Sequence, residues 1–335
     1  MTPVVGRVHF VVPEGIDDPA RPSGGNVYDR RLAAELTGLG WTVHEHHVAG
    51  SRLLAEIPDR AITVVDGLVG TAEVMVTEAA RLRLVLLVHM PLGGPVERAV
   101  LNHAAAVITT SQWARGWLIT QHGLAADKVS VALPGVDPAP VVAGSAGGTN
   151  LLCVGPVVRE KGYDVLMDAL RNLPDLAWHC TVAGALDLEP GFVADSAGVA
   201  DRVSFLGPVT QARLDTIRSA TDLVVSASRR ESFGMAVAEG LARGIPVVAT
   251  DVGGHPEVVG PAGVLVPAGD PVRLASALRE WLTDPRLRDR LRRAAIQRSG
   301  ELTTWADTAS AVNRSLLALV SPSNSQLPNR QTTAG

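Results

Sequence analysis

Cysteine is nearly absent, with Cys153 and Cys180 the only two in 335 residues. A disulfide framework or a cysteine-rich zinc cluster needs more. Both thiols fall in apolar runs, NLLCVG and LAWHCTVAG, where buried free thiols are expected. A cationic surplus is also missing. The 30 Lys and Arg are outnumbered by 34 Asp and Glu, for a net charge of −4, and Arg229–Arg230 is one small basic patch. That balance argues against a nucleic-acid partner. No run reaches 18 uncharged apolar residues, and MTPVVGRVHFVVPEG lacks the cationic-then-apolar order of a secretion signal. A soluble, cytoplasmic chain without a transmembrane segment is expected. No basic, Trp-studded amphipathic helix marks a lipid surface, so membrane contact is at most weak. No Asp-any-Asp triplet occurs, and no metal site is expected.

Apolar residues make up 46% of the chain and charged residues 19%, enough to build two cores. In the first half, strand-like runs at 7–12, 41–46, 61–67, 83–89 and 105–111 alternate with helical runs at 26–39, 68–80 and near 95–104. In the second half, strands at 150–155, 177–184, 202–207, 221–228, 245–251 and 262–269 alternate with helices at 161–171, 210–219, 234–243 and from 270 to 300. Apolar strands flanked by helices read as doubly wound parallel α/β sheets. GVDPAPVVAGSAGGTN (135–150) has the composition of a flexible join, and 321–335, without periodicity, that of a disordered tail. Two Rossmann-like domains would face each other across a cleft, with ligands beyond the C-terminal ends of the strands.

Position along those strands selects the candidates. Gly24 and Gly25 precede a helix whose apolar residues Val27, Leu32, Leu36 and Leu39 keep helical spacing. The pair suits an anion at a helix N-terminus or a merely tight turn. His89 ends the strand 83–89, as a site residue or a satisfied loop histidine; His44, His46 and His47 read as structural or surface groups. Arg159 and Lys161 stand before the helix led by Gly162, placed for a diphosphate or for solvent. Glu231 and Glu239 are eight residues apart, one before a helix and one inside it among Ala236, Val237, Ala238 and Leu241. An unpaired carboxylate on a buried helix is costly, and acceptors for sugar or ribose hydroxyls account for both.

The run ESFGMAVAEGLARGIPVVATDVGGHPEVV resembles the signature of retaining GT-B glycosyltransferases of the GT4 (glycosyl transferases group 1) type. SGGNVYDRRLAAELTGLGWTV, LVH ending at His89, SQWARGWL…PGVD and Trp305 agree with it in order, so the resemblance covers about 7–318. It implies a GT-B fold with an acceptor-side domain over 1–140, a donor domain over 141–302 and a helix near 303–319 returning to the first domain. It further implies that Glu239 binds ribose hydroxyls and Glu231 a sugar hydroxyl. Phe233, Gly234 and Met235 would line sugar and phosphates, Arg159 and Lys161 would neutralise the diphosphate with the amides of the Gly24, Gly25 and Asn26 loop, Gly207 and Val209 would lie near the base, and His89 would face sugar and acceptor. One departure stands out: the family's Gly-Arg-Leu is here Gly155-Pro156-Val157, and Arg159 is the nearest replacement arginine.

The implied activity is metal-independent, retaining transfer of a hexose-type sugar, with departure of a nucleoside diphosphate and no resident cofactor. The donor would be UDP- or GDP-linked and the acceptor a small molecule or lipid-linked. The acceptor's identity and the oligomeric state are not encoded in any motif. Two alternatives share the architecture: a UDP-sugar 2-epimerase, which would crowd carboxylates around the donor sugar, and a non-enzymatic small-molecule binding protein.

Overall fold

The computed structural model of the chain describes residues 5–48, 51–189, 192 and 195–320. The expected tail at 321–335 lies outside them. The first half runs β1 (Gly6–Pro13), α1 (Gly24–Gly38), β2 (Trp41–Val48), β3 (Ile62–Asp66), a short α2 (Gly67–Gly70), α3 (Val74–Arg81) and β4 (Arg83–Val88). It continues through α4 (Pro95–His103), β5 (Ala106–Thr109), α5 (Gln112–His122) and β6 (Val129–Val131). The second half runs β7 (Asn150–Val154), α6 (Tyr163–Arg171), β8 (His179–Ala183), β9 (Val203–Phe205), α7 (Gln211–Ser219), β10 (Leu223–Ser226) and α8 (Met235–Leu241). Then come β11 (Val247–Thr250), α9 (His255–Val259), β12 (Gly263–Val266), α10 (Pro271–Thr283), α11 (Pro285–Ser299) and α12 (Trp305–Val320).

Two six-stranded sheets result, both parallel throughout: β2-β1-β3-β4-β5-β6 and β12-β11-β10-β7-β8-β9. Strands such as β4, RLVLLV, are buried on both faces because helices cover both sides. The second sheet has the dinucleotide-binding strand order. The first follows the flavodoxin-like order, so its direction reverses between β1 and β3 rather than one strand later. The reversal in the second sheet falls between β7 and β10. The single helical run expected at 68–80 divides into α2 and α3, and the stretch after 111 adds α5 and β6. Cys153 and Cys180 are both buried free thiols.

Two chain segments cross between the sheets side by side. Val136 N–H donates to Thr303 O at 2.9 Å. At Gly135 the approach is so close that a Cβ would lie 2.4 Å from the Trp305 backbone nitrogen, which no side chain tolerates. Beyond this crossing α12 packs on the first sheet's layer. Trp305 meets Tyr28 edge-on at 5.8 Å, Trp41 Nε1 donates to Asn313 Oδ1 at 2.7 Å, and Arg83 Nη1 donates to Leu319 O at 2.7 Å.

The Gly- and Pro-rich join is not a loose tether, contrary to its composition. Asp222, buried, accepts from Asn150 N–H at 2.9 Å and from Ser145 Oγ at 2.7 Å, as well as from Ser145 N–H. Trp281 Nε1 donates to Gly148 O at 2.7 Å. A buried carboxylate needs several donors, and this one takes them from the join.

On β1 and β2, His9 Nδ1 lies 2.8 Å from His46 Nε2, with the His44 ring stacked on His9 at 5.4 Å. Burial first, then the neighbouring imidazoles, lowers His9, and burial with His44 lowers His46, both below the usual 6.5. A histidine held below its unfolded pKa contributes stability above that pKa and loses it as pH falls through the folded value. The melting temperature should therefore drop between pH 7 and pH 5, and less steeply in His46→Gln. Parallel curves for the two proteins would show that the stack carries no such linkage.

Candidate active site

In open parallel sheets the crevice opens where the strand order reverses, beyond the strands' C-terminal ends. The two reversals collect most of the sequence-selected residues. From the first sheet come the first residues of α1, Gly24 and Gly25, the end of β3 with Asp66, and the end of β4 with His89. From the second come the β7–α6 loop with Lys161 and the β10–α8 loop with Glu231.

His89 is mostly buried, and its Nε2 donates to Asp29 Oδ1 at 2.8 Å and lies 3.3 Å from Asp66 Oδ2. Asp66 also caps α2 by accepting from Leu68 N–H at 2.6 Å. Burial alone would lower His89, but the charge and hydrogen bond of Asp29, followed by Asp66, outweigh it and raise the ring to about 10. Burial raises Asp29 to about 6 against the pull of His89. Burial would raise Asp66 too, yet the hydrogen bond and charge of His89 leave it lowered. Gly25 stands close beside the ring: a Cβ there would lie 3.2 Å from His89 Cδ2. The Asn26 side chain holds the preceding loop, its Nδ2 donating to Ile16 O at 3.0 Å.

Glu97, which the sequence reading passed over, sets the path of the chain after His89. Its buried carboxylate accepts from Leu92 N–H at 2.9 Å, Gly93 N–H at 2.7 Å and His122 Nε2 at 2.9 Å.

On the other wall Lys161 Nζ donates to Glu231 Oε2 at 2.6 Å. Burial pushes Glu231 up, but the Lys161 ammonium and His255 more than offset it and hold the carboxyl below its usual range. Glu239 is not the unpaired carboxylate its neighbours suggested. It forms an ion pair with the buried Arg218, which lies one side chain away on α7. Burial still raises Glu239 despite Arg218 and Arg243.

Arg159 departs from expectation, lying two-thirds exposed with its guanidinium 5.5 Å over the Phe192 ring and 3.8 Å from Glu189. The turn before it is fixed from elsewhere: Gly155 N–H donates to Ala183 O and Val157 N–H to Ala185 O, while Pro156 between them has no N–H to give. Phe233 is more buried than Glu231 and Ser232 before it. The residue, 6% exposed, belongs to the core under α8 with Val136, Val237 and Leu241, and it also lines a small cavity with Pro134, Glu257 and Arg298. Gly234 is the N-cap of α8. Gly207 and Val209 follow β9 on the sheet's edge, where Gly207 O accepts from Gly184 N–H at 2.9 Å.

His255 is a second omission. Its ring is fully buried, Nδ1 lies 2.8 Å from Thr250 O, and Nε2 has no partner. The turn before it depends on Gly253, at φ 55°, where a Cβ would sit 1.5 Å from Glu231 O. Backbone packed that tightly sets where Glu231 begins.

The walls touch. A Cβ on Gly24 would lie 3.0 Å from Met235 Sδ, so Met235 of the second sheet's α8 sits against the first sheet's glycine loop. Arg230 Nη2 donates to Pro91 O at 2.9 Å. Glu257 accepts from Gln112 N–H at 2.9 Å and Trp113 N–H at 2.5 Å, covering the first amides of α5. Among the described residues, only Asp29, Asp66 and His89 bring three potential metal-ligand atoms within 4.8 Å of one another. Asp29 and Asp66 both lie against the one nitrogen, Nε2 of His89, at 2.8 Å and 3.3 Å, within hydrogen-bond reach.

Residues 144–298 match the family model described as glycosyl transferases group 1. The chain is 34% identical over 238 residues to a D-inositol 3-phosphate glycosyltransferase of Thermobifida fusca, covering 63% of this chain and 55% of that protein. It is 33% identical over 252 residues to one from Frankia alni, covering 68% and 62%. The chain thus spans little more than half the length of these relatives. Among solved structures, sucrose-phosphate synthase of Thermosynechococcus elongatus superposes with a TM-score of 0.77 at 22% identity, over 94% of this chain and 99% of that one. The Anabaena protein HepE in complex with UDP-glucose gives 0.72 at 21%, over 93% and 99%. At that identity the likeness is one of fold, and the fold is GT-B. No helix among the described residues is long and apolar enough to cross a membrane.

Glu97→Ala should cost about 3 kcal/mol, because it strands two loop amides and His122 at once. Urea unfolding measures it, and a loss under about 0.5 kcal/mol would mean that water replaces the carboxylate without penalty.

Proposed function

We propose that this chain, a member of the glycosyl transferases group 1 family through residues 144–298, transfers a hexose-type sugar from a nucleoside-diphosphate-sugar to a hydroxyl acceptor. Transfer retains the anomeric configuration and uses no metal. The observation that carries the reading is the Lys161–Glu231 pair at one strand reversal, joined through Met235 to the Gly24–Gly25 loop at the other. We divide the chain accordingly into an acceptor side, 1–140 with 303–319, and a donor side, 141–302.

Departure of a nucleoside diphosphate leaves negative charge on phosphate, and preorganised cations and amides stabilise it most effectively in a site closed to water. Lys161 is the first such cation. Its bond to Glu231 would be shared with phosphate as Glu231 turns an oxygen to a sugar hydroxyl. Arg159, two-thirds exposed, would leave the Phe192 ring and Glu189 to swing in, and Arg230 in the β10–α8 loop stands beside Glu231. Glu239 uses one oxygen for Arg218 and is partly exposed, which leaves the other for ribose hydroxyls. Gly207 and Val209 would border the base, and the Gly24 and Gly25 amides the phosphates. In the retaining chemistry we infer, the acceptor attacks the face the diphosphate leaves, and the departing phosphate oxygen takes the acceptor proton. Neither Glu231 nor Glu239 then needs to be a nucleophile.

The 2-epimerase alternative requires carboxylates facing the donor sugar. Asp29 and Asp66 are buried on the Nε2 side of His89, which supports the transferase reading instead. The relatives named above make UDP-glucose the first donor and D-inositol 3-phosphate the first acceptor to test.

In a thermal-shift panel of UDP, GDP, ADP and TDP, one diphosphate should stabilise the protein by about 2.7 kcal/mol at a hundredfold excess over its Kd. Glu239→Ala and Lys161→Ala should each lose most of that gain, and magnesium should add nothing. If neither these nucleotides nor their sugar conjugates raise the melting temperature, the transferase reading fails.

A further inference from the structure

We propose that Asp29 and Asp66 are positioning residues that clamp Nε2 of His89, so that the ring meets the cleft through Nδ1 as a fixed, positively charged hydrogen-bond donor and not as a base. The inference rests on the transferase reading for its substrate, a sugar hydroxyl or phosphate oxygen, and on geometry for everything else.

Three observations converge. Both carboxylates lie on one ring nitrogen, at 2.8 Å and 3.3 Å, with side chains 0% and 2% exposed. Asp29 Oδ2 is buried without any hydrogen-bond partner, so no protein donor other than His89 relieves its charge. The opposite nitrogen, Nδ1, has no hydrogen-bond partner among the described residues and is not among the buried unpaired atoms. A single carboxylate behind a histidine fixes the tautomer and leaves the far nitrogen of a neutral ring free to accept a proton. A second buried carboxylate changes the balance. Were His89 neutral, the two buried carboxylates would lose their shared cation, leaving Asp66 with only the Leu68 amide and Asp29 Oδ2 with no donor, an arrangement that disfavours the neutral ring.

The groups that face His89 are few. From α1 come Asp29 and the Tyr28 ring, edge-on at 5.1 Å with its hydroxyl committed to Ala132 O. From the end of β3 comes Asp66. The backbone is held too, as Thr110 Oγ1 donates to His89 O at 3.3 Å. With the ring fixed front and back, its orientation is set by residues that never touch substrate.

The test is a two-bond proton–nitrogen correlation spectrum of the 15N-labelled full chain, with His89 assigned by His89→Gln. At pH 8 the wild-type ring should show the imidazolium pattern. Asp29→Asn and Asp66→Asn should each lower its titration midpoint by about 1–3 pH units. If either variant fails to fold, as judged by circular dichroism, the other gives the reading. A neutral His89 at pH 8 in the wild type, or a midpoint unmoved in a folded variant, overturns the inference. Sugar transfer by a chain with neutral His89 would sink the inference alone. A charged His89 in a chain that binds no nucleotide-sugar would sink the transferase reading and leave the clamp standing.

Discussion

The crossing of two chain segments at Gly135 and Thr303–Trp305 is the contact on which the rest depends. Each parallel sheet makes its own crevice, and neither crevice alone has two walls. What turns them into one site is that the sheets are joined twice, at a point where backbone meets backbone without room for a Cβ. From that pivot α12 packs on the first layer while α11 stays with the second. Glu257 adds a third tie by covering the first amides of α5. The hydrophobic cores make each half stable, but this junction decides which loops face each other.

Charge is then distributed in a consistent way. Each buried carboxylate near the site is answered by a specific partner: Asp29 and Asp66 by His89, Glu97 by two amides and His122, Glu231 by Lys161, Glu239 by Arg218. Lys161–Glu231 and Arg218–Glu239 each have a partly exposed member, which is what the proposed trade of an ion pair for ligand contacts requires. The Glu97 and Asp222 clusters are closed and hold loops in place. The same residue type therefore serves two ends, separated by whether the partner is a flexible cation or a backbone amide.

Much of this was legible in the sequence. Apolar runs buried on both faces and the spacing of the helices gave the two α/β layers. Residues at strand ends, among them His89, Lys161 and Glu231, fell at the reversals because chain position alone determines which end of a parallel strand carries a loop. Other features depend on long-range packing that no local pattern records. Glu97 reads as an ordinary first-turn acid of α4, and only the fold brings His122 and the 92–93 amides to it. Phe233 lies two residues after Glu231 in sequence, yet it joins the core beneath α8 with Val136 and Val237. The join at 142–150 has a flexible composition, but Asp222, more than seventy residues later, ties it down. Asp29 sits one helical turn past Gly25 in a run of charged letters, with nothing local to distinguish it from Arg30 and Arg31.

The central claim is that one nucleotide-sugar is gripped by loops from both sheets. With five methionines in the chain, 13C-methyl labelling makes a direct test possible. Met235 lies between the sheets against Gly24, while Met75 and Met167 are buried in separate cores. Titration with UDP-glucose, or with whichever diphosphate sugar binds, should move the Met235 methyl resonance in step with saturation and leave Met75 and Met167 in place. Saturable binding with Met235 unmoved would contradict the account, because the ligand would then sit somewhere other than between the two strand reversals.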